Sequence, residues 1–174
     1  NDFFGYTTND EMYIDDYNIV HTPYLSKVSS TSTGGNWNSN STWVGNNVPN
    51  QNAVVEIVDG TTVTLNENIT NRNGNIIVNG TLDCGSYNIS GSGKFVLSAY
   101  ATLIIGSENG ISLTGTTGHI QVTGNRVFNQ FANYIYNGTA AQVTGNGFPT
   151  TIKNLTINNT AGVTLSANTS VNGA

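Results

Sequence analysis

The sequence predicts an all-β fold: a right-handed parallel β-helix (β-solenoid) with coils of about 21 residues, preceded by an irregular or capping N-terminal segment. Three observations predict it. The pentapeptide Gln-Val-Thr-Gly-Asn occurs at 121–125 and again, one such coil later, at 142–146. Repetition at a fixed period of this size is typical of solenoids. Short apolar runs alternate with Asn- and Gly-rich turns, and no window carries a capped helical stripe.

A recurring threonine extends this period along the chain. Rows of the same length align one threonine in each row, at Thr81, Thr102, Thr123, Thr144 and, after a row shorter by one, Thr164. A coil of this size holds three short strands and three turns, and strands stack at ~4.8 Å. The alignment therefore predicts a vertical threonine column on one face, which strand propensity and laddered hydroxyls explain better than an ice-binding surface.

The chain divides into two regions. Residues 1–25 are acidic and aromatic and lack the repeat, so they are expected to form a cap, a linker or a donated strand, whereas residues 26–174 form the predicted solenoid. Four carboxylates of the first region are weak candidates for Ca²⁺ ligands, because hard oxygen donors suit that ion. They are Asp10, Glu11, Asp15 and Asp16. A solvated acidic segment is the simpler interpretation.

Composition excludes several classes of protein. The net charge is −5 and the five basic residues are scattered, which argues against nucleic-acid binding. The longest apolar-leaning run is about half of the ~20 residues that a membrane-spanning helix needs, so no membrane insertion is expected. The single cysteine, Cys84, forms no internal disulfide and is expected to point into the core beside Leu82.

Two stretches of the sequence carry a family resemblance. The run at 35–49, Gly-Asn-Trp-Asn-Ser-Asn-Ser-Thr-Trp-Val-Gly-Asn-Asn-Val-Pro, precedes a strand, and Asn-Gly-Thr-Leu follows at 79–82. This pattern resembles the domain family named for its eight glycines and related secreted surface β-solenoids of Bacteroidetes-type bacteria. Residues 134–165 are similar to the surface repeats of such proteins. The resemblance covers roughly 28–174 and implies a secreted or cell-surface location.

The aromatic residues have two interpretations. Trp37 and Trp43 are predicted to cap or pack the first coil, since a terminal coil exposes apolar side chains and a strand edge. A sugar-stacking platform is the alternative for both. Glycan stacking is also considered for Tyr100, Tyr134, Tyr136 and Phe148. The row register aligns Tyr134 and Tyr136 with Leu and Ile, which favours core packing for these two.

No set of catalytic residues is recognisable in the sequence. A polysaccharide-degrading β-helix needs clustered carboxylates, yet the acids of the repeat region are isolated. His21 and His119 lack partners at metal-ligand spacing. We therefore expect no enzyme activity and no cofactor.

The leading hypothesis is a non-enzymatic structural or adhesive module of a secreted or cell-surface protein. The alternative is a carbohydrate-binding module of a polysaccharide-active secreted enzyme, and a β-helix enzyme comes third. Val-Asn-Gly begins a row at Val78 and recurs at Val171, so the repeat is cut in mid-row. We therefore expect either a longer parent chain or end-on self-association, into a fibre for instance, with glycans as the other candidate partner.

Overall fold

The computed structural model describes residues 26–173, together with the backbone of two earlier strands, Met12–Asp15 (β1) and Asn18–His21 (β2). These two strands pair with each other in antiparallel fashion. The prediction for residues 1–25 otherwise lies outside the described residues.

The described residues contain short strands, one 3-10 helix at Asn40–Thr42 and no α-helix. The strands that follow β2, numbered in chain order, are Lys27–Ser29 (β3), Gly35–Asn36 (β4), Val54–Ile57 (β5), Thr62–Thr64 (β6), Ile69–Arg72 (β7), Ile76–Val78 (β8), Thr81–Asp83 (β9), Ile89–Gly91 (β10), Phe95–Leu97 (β11), Thr102–Ile105 (β12), Ile120–Val122 (β13), Arg126–Phe128 (β14), Asn133–Tyr136 (β15), Gln142–Val143 (β16), Thr151–Ile152 (β17), Asn154–Ile157 (β18), Val163–Thr164 (β19) and Ser170–Val171 (β20).

The strands from β3 onward pair in parallel and form stacked sheets. One sheet has the order β14-β11-β8-β5-β3, a second β18-β15-β12-β9-β6-β4, and a third β13-β10-β7. Two further pairs, β16-β19 and β17-β20, are also parallel. From β5 to β13 the chain contributes one strand to each of the three sheets in turn, and we call such a stretch a repeat unit. An all-β fold with parallel strands in stacked sheets confirms the coarse prediction.

The spacing between paired strands is less regular than the sequence period suggested. Val55 pairs with Ile76, and Thr81 pairs with Thr102, as the predicted period requires. Thr102, however, pairs with Asn133 rather than with the threonine of the next row. The additional residues form a loop between β12 and β13. The continuous threonine column predicted beyond Thr102 is therefore wrong.

The duplicated pentapeptide is affected by the same loop. Gln121, in the first copy, lies on β13 and pairs with Ser90 of β10. Gln142, in the second copy, lies on β16 and pairs with Val163 of β19. The two copies are therefore not partners in the sheets, although their sequences are identical.

Alternation along the strands fills the interior between the sheets. On β9, Leu82 is buried while Thr81 and Asp83 are half-buried, and Cys84 is buried immediately after the strand, as predicted. Burial strongly raises the pKa of the Cys84 thiol, with a smaller contribution from the Asp83 charge. Each fully buried apolar side chain contributes about 1.5–3 kcal/mol. The core includes Val55, Ile57, Ile76, Val78, Phe95, Leu97, Leu103, Ile105 and Ile120.

Neutral polar side chains connect successive repeat units on the outside. The Asn79 amide donates to the Glu56 carboxylate at 2.9 Å, and Ser98 Oγ donates to Asn79 Oδ1 at 2.6 Å. At a neighbouring turn, Asn73 donates to Asn52 at 3.0 Å and accepts from Ser92. These hydrogen bonds run along the stacking direction, so a surface with few charges still ties one repeat unit to the next.

The one ion pair among the described residues also involves Glu56, at the start of the row of hydrogen bonds through Asn79 and Ser98. Lys27 Nζ lies 2.6 Å from Glu56 Oε2, and Ser29 Oγ also donates to this carboxylate. The hydrogen bond from Lys27 is the main cause that lowers the pKa of Glu56. Because Lys27 is half exposed, solvent screening leaves the pair little net stabilisation.

A buried arginine replaces an apolar side chain at one point in the third sheet. Arg72, at the end of β7, is buried and donates to the carbonyl oxygens of Asn50 and Ala53. Burial lowers the pKa of Arg72 to about 10. The guanidinium thereby fixes the loop that precedes β5 against the third sheet.

The turns stack as closely as the strands, and glycine permits this. A Cβ atom added to Gly93 would overlap the carbonyl oxygen of Gly74, which lies in the preceding repeat unit. Gly74 faces Ala53 in the same way, and Gly124 faces Gly93. The turn between the third and first sheets therefore admits no side chain at this position.

Gly93→Ala is expected to lower the free energy of unfolding by about 3 kcal/mol, because backbone atoms rather than a flexible side chain oppose the new methyl group. Gly162→Ala is the control. Its φ is +94°, yet no atom of the described residues lies within 4 Å of the added Cβ, so a loss of about 1 kcal/mol is expected. Urea unfolding monitored by circular dichroism measures both. Equal losses in the two variants would contradict the stacking explanation.

Candidate functional site

Two surface clefts lie along the stacked sheets. The first, of about 440 Å³, lies beside the loop between β12 and β13 and has a largely polar lining. The second, of about 400 Å³, lies where the connections between the first two sheets change length, and its lining is more apolar.

His119 lies at the base of the first cleft and is buried. Its Nε2 accepts hydrogen bonds from the backbone N–H groups of Gly106 and Ser107, at 2.9 and 2.6 Å. Two donors at Nε2 require that this nitrogen carry no proton, so Nδ1 carries it and donates to the Tyr87 carbonyl at 2.5 Å. The ring is therefore a neutral bridge between two turns.

The protonation of His119 is opposed by its surroundings. Burial lowers the pKa of His119, while the hydrogen bond to Tyr87 and the charge of Asp83 act in the other direction. Both ring nitrogens are already used by the backbone, so the imidazole has no free position for proton transfer to a ligand. His119 is thus a structural residue of this cleft, a role that its sequence context does not indicate.

Arg126 holds the loop that forms the other wall of the first cleft. Its guanidinium donates to the carbonyl oxygens of Val122, Ser112 and Gly115, at 2.8, 2.9 and 2.6 Å. Its register partner is Phe95, a core residue, so the side chain occupies an inward position. Burial lowers the pKa of Arg126. The inserted loop is therefore fixed by these hydrogen bonds together with Ile111, which is buried in the core.

The second cleft arises because successive turns on this side of the molecule differ in length. Four residues connect the first sheet to the second at 98–101 and again at 129–132. The next connection, between β17 and β18, consists of Lys153 alone. Two four-residue turns therefore stack beside a one-residue turn. The difference in length leaves a recess on the surface, which is the second cleft and which we call the notch.

Tyr100 and Phe131 occupy the same position in these two wide turns. Each lies two residues before a paired strand residue, Thr102 or Asn133. Tyr100 is 68% exposed and Phe131 is 49% exposed. The backbone N–H of Tyr100 donates to the Phe131 carbonyl at 3.1 Å. The turns therefore place two aromatic residues beside each other on the surface.

Tyr100 has an unusual backbone conformation. Its φ is +68°, in the left-handed region, where a side chain costs about 1–2 kcal/mol. The matching position in the turn between β5 and β6 is Gly60, with φ +75°. An exposed tyrosine thus stands where the same turn elsewhere uses glycine. Local strain of this kind persists where the surroundings enforce it, often at functional sites.

Lys153 supplies a positive charge at the floor of the notch. Its Nζ lies 5.2 Å from the centroid of the Tyr100 ring, within the range of a cation–π interaction. The remaining lining residues are Gln130, Phe131, Thr151, Ile152 and Asn172. Among the described residues that line the notch, Lys153 is the only charged one, although the chain as a whole carries a net charge of −5.

The two tryptophans that the sequence singles out are buried, in agreement with the packing role predicted for them. The ring centroids of Trp37 and Trp43 are 5.1 Å apart in an edge-to-face arrangement. Trp43 Nε1 also donates to the Trp37 carbonyl at 2.7 Å. Neither indole presents a face to a sugar.

The candidate stacking residues divide into buried and exposed groups. Tyr134 and Tyr136 are buried and pack edge-to-face against Phe148, so glycan stacking by these residues is corrected to core packing. The two hydroxyl groups donate to the carbonyls of Asn129 and Thr144, both at 2.8 Å. Burial raises the pKa of both hydroxyls. Of the four candidates, only Tyr100 is exposed.

The side chains of the four candidate calcium ligands lie outside the described residues. This holds for Asp10, Glu11 and Asp16, and for Asp15 only the backbone pairing of β1 is described. Within residues 26–173, no three His, Cys, Asp or Glu side chains group closely enough to hold a metal ion. The same part of the chain contains no helix long and apolar enough to span a bilayer.

Sequence reasoning missed Phe131 and Lys153. A signal for Phe131 exists: Ser-Ala-Tyr-Ala at 98–101 and Asn-Gln-Phe-Ala at 129–132 share an aromatic residue followed by alanine. The interval between them exceeds one row, however, so the alignment in equal rows placed the two stretches out of register. Lys153 carries no local signal, since its position depends on a turn of one residue.

Comparisons with protein families, with characterised proteins and with solved structures gave no match to this chain. The resemblance to the eight-glycine family and related surface modules therefore stays a prediction based on the quoted residues.

Because the folded protein holds His119 neutral with a lowered pKa, the stability it contributes is complete above its unfolded pKa of about 6.5. That contribution is lost as the pH falls from there toward the lower folded pKa. A tenfold change in the protonation equilibrium corresponds to about 1.4 kcal/mol. Melting temperatures between pH 8 and pH 5 are expected to fall more steeply for the wild type than for His119→Gln.

Gln suits this comparison because it supplies a neutral acceptor and a neutral donor in a similar volume. His21 and all carboxylates remain in both proteins, so the difference between the two pH profiles reports His119 alone. Parallel profiles would mean that His119 is not held neutral by the turns.

Proposed function

We propose that this chain is a non-enzymatic structural or adhesive module of a secreted or cell-surface protein, built as a right-handed parallel β-solenoid. The regular visiting order of the three sheets supports closed coils, each a repeat unit of roughly 20 residues that becomes longer where the loop is inserted. The observation that carries the proposal is a group of half-exposed apolar side chains on the last strands that the structure describes.

In the last coil, the residues that pair with buried core residues of the preceding coil are themselves about half exposed. Tyr136 is buried, while its partner Ile157 is 50% exposed. Ile152 is buried, while its partner Val171 is 53% exposed. Leu165 is also about half exposed. Side chains in core register that face water favour the addition of a further coil.

The strand edges at this end support the same conclusion. Among the described residues, β18, β19 and β20 each have a partner on one side only. A row of unpaired N–H and C=O groups beside exposed apolar side chains is a template for another strand. We propose that a further coil covers this edge, and that a second copy of the chain can supply it through end-on association as well as a continuation of the solenoid.

Sedimentation of the chain at increasing concentration tests the proposal. The wild type is expected to associate in the micromolar range, whereas Val171→Lys is expected to remain monomeric because a charge in the interface lacks a partner. Val127→Lys is the matched control: Val127 is also exposed, but it lies on the outer face of β14. Its association is expected to equal that of the wild type.

Two results would overturn end-on association. One is a wild-type chain that stays monomeric at all concentrations tested. The other is an equal loss of association in Val171→Lys and Val127→Lys, which would point to the side of the sheets. Unfolding curves for both variants establish that any change in association arises from a folded protein.

Carbohydrate binding is the second candidate function. It is favoured by the exposure of Tyr100 and Phe131 in the same cleft. Two exposed aromatic residues that line one cleft, on a surface with few charges, offer apolar contact to the C–H faces of pyranose rings, with amide and hydroxyl groups beside them. This candidate is compatible with an adhesive module and with a module attached to a polysaccharide-active enzyme.

A further inference from the structure

We propose that the notch formed by Tyr100, Phe131 and Lys153 binds an acidic pyranose unit of a glycan. The inference rests on the carbohydrate-binding candidate and adds to it the site and the chemical class of the ligand. The aromatic rings contact the apolar face of the sugar, and Lys153 pairs with its carboxylate. Gln130 and Asn172 supply amide groups for the hydroxyls.

The shape of the surface suits a sugar ligand. Two four-residue turns, at 98–101 and 129–132, project side by side, and the one-residue turn at Lys153 does not reach as far. The notch has a volume of about 400 Å³, which accommodates one or two sugar rings. Its aromatic wall consists of side chains that the core does not use, since the alanines that follow them, Ala101 and Ala132, are the buried residues of these turns.

The backbone of Tyr100 also favours a role in ligand contact. Glycine would relieve the left-handed conformation, as Gly60 does in the corresponding earlier turn. This tyrosine is 68% exposed, so it adds little to the core. The chain therefore maintains a strained residue whose side chain faces solvent, and ligand contact accounts for this arrangement where packing does not.

The charge of the notch favours an acidic ligand. Lys153 is the only charged residue among the described residues of the lining, and the ring centroid of Tyr100 lies 5.2 Å from its ammonium group. None of the carboxylates within residues 26–173 lines this notch; they belong to Glu56, Asp59, Glu67, Asp83 and Glu108. A cationic group beside aromatic faces suits a pyranose that carries a carboxylate, because the charge adds selectivity to a stacking contact that many sugars could make.

The experiment is a titration of the isotopically labelled 174-residue chain with tetragalacturonate, followed by NMR chemical shifts. The methyl-esterified tetramer is the matched ligand, since it keeps the sugar rings and removes the charge. The wild type is expected to bind the acid about tenfold more tightly than the ester, and salt is expected to weaken only the binding of the acid.

Three variants assign the site. Tyr100→Gly is expected to lose binding of both ligands while its melting temperature stays equal to or above that of the wild type, because the strain is removed. Phe131→Ala is expected to weaken both ligands. Lys153→Met retains the aliphatic chain and is expected to make the acid and the ester bind equally. Tyr87→Ala, at the first cleft, is the control with unchanged binding.

The possible results distinguish a failure of the acidic-ligand proposal from a failure of the carbohydrate-binding candidate. Equal binding of acid and ester through Tyr100 would overturn the acidic ligand and leave carbohydrate binding intact. Binding of neither tetramer by the wild type would overturn the proposed ligand and weaken the carbohydrate-binding candidate as well. Binding of the acid that survives Tyr100→Gly and Phe131→Ala would overturn the assignment to this notch.

Discussion

Parallel strands stacked in register constrain everything that connects them. Each strand lies ~4.8 Å from the next, so the turns must stack at the same distance. Where the turns are alike, as at Gly74, Gly93 and Gly124, the backbone of one turn approaches the next so closely that no Cβ fits. Glycine in these turns is therefore a requirement of the stacking itself, and the apolar core follows from the registers that the turns fix.

The same stacking explains the neutral surface. Identical charges placed above one another repel at this distance, whereas Asn and Ser side chains both donate and accept hydrogen bonds. The ladder from Glu56 through Asn79 to Ser98 uses that property, with one ion pair at its start. The low charge content and the hydrogen-bonded exterior therefore have the same cause, which is the close stacking of the strands.

The two candidate clefts lie where the regular stacking is interrupted. The inserted loop after β12 is held by Arg126 and rests on a neutral His119, which makes the first cleft. The shortening of a turn to Lys153 leaves a notch beside the exposed aromatic residues of the wider turns, which makes the second. Ile157 and Val171, on the last strands that the structure describes, pair with buried residues but are themselves half exposed. A regular column offers a ligand no concave surface, whereas an interruption does.

The sequence by itself determined the class of the fold. Apolar alternation, turn residues and a regular interval predicted parallel stacked strands, the burial of Leu82 and Cys84, and the pairing of Thr81 with Thr102, because each of these depends on local periodicity. Only the tertiary structure decided the register beyond Thr102, since a loop of variable length leaves no periodic signal. It also decided the exposure of the aromatic residues in the turns. The row register already favoured a core position for Tyr134, whereas Tyr100 is exposed because it lies in a turn with positive φ, which no periodic pattern indicates.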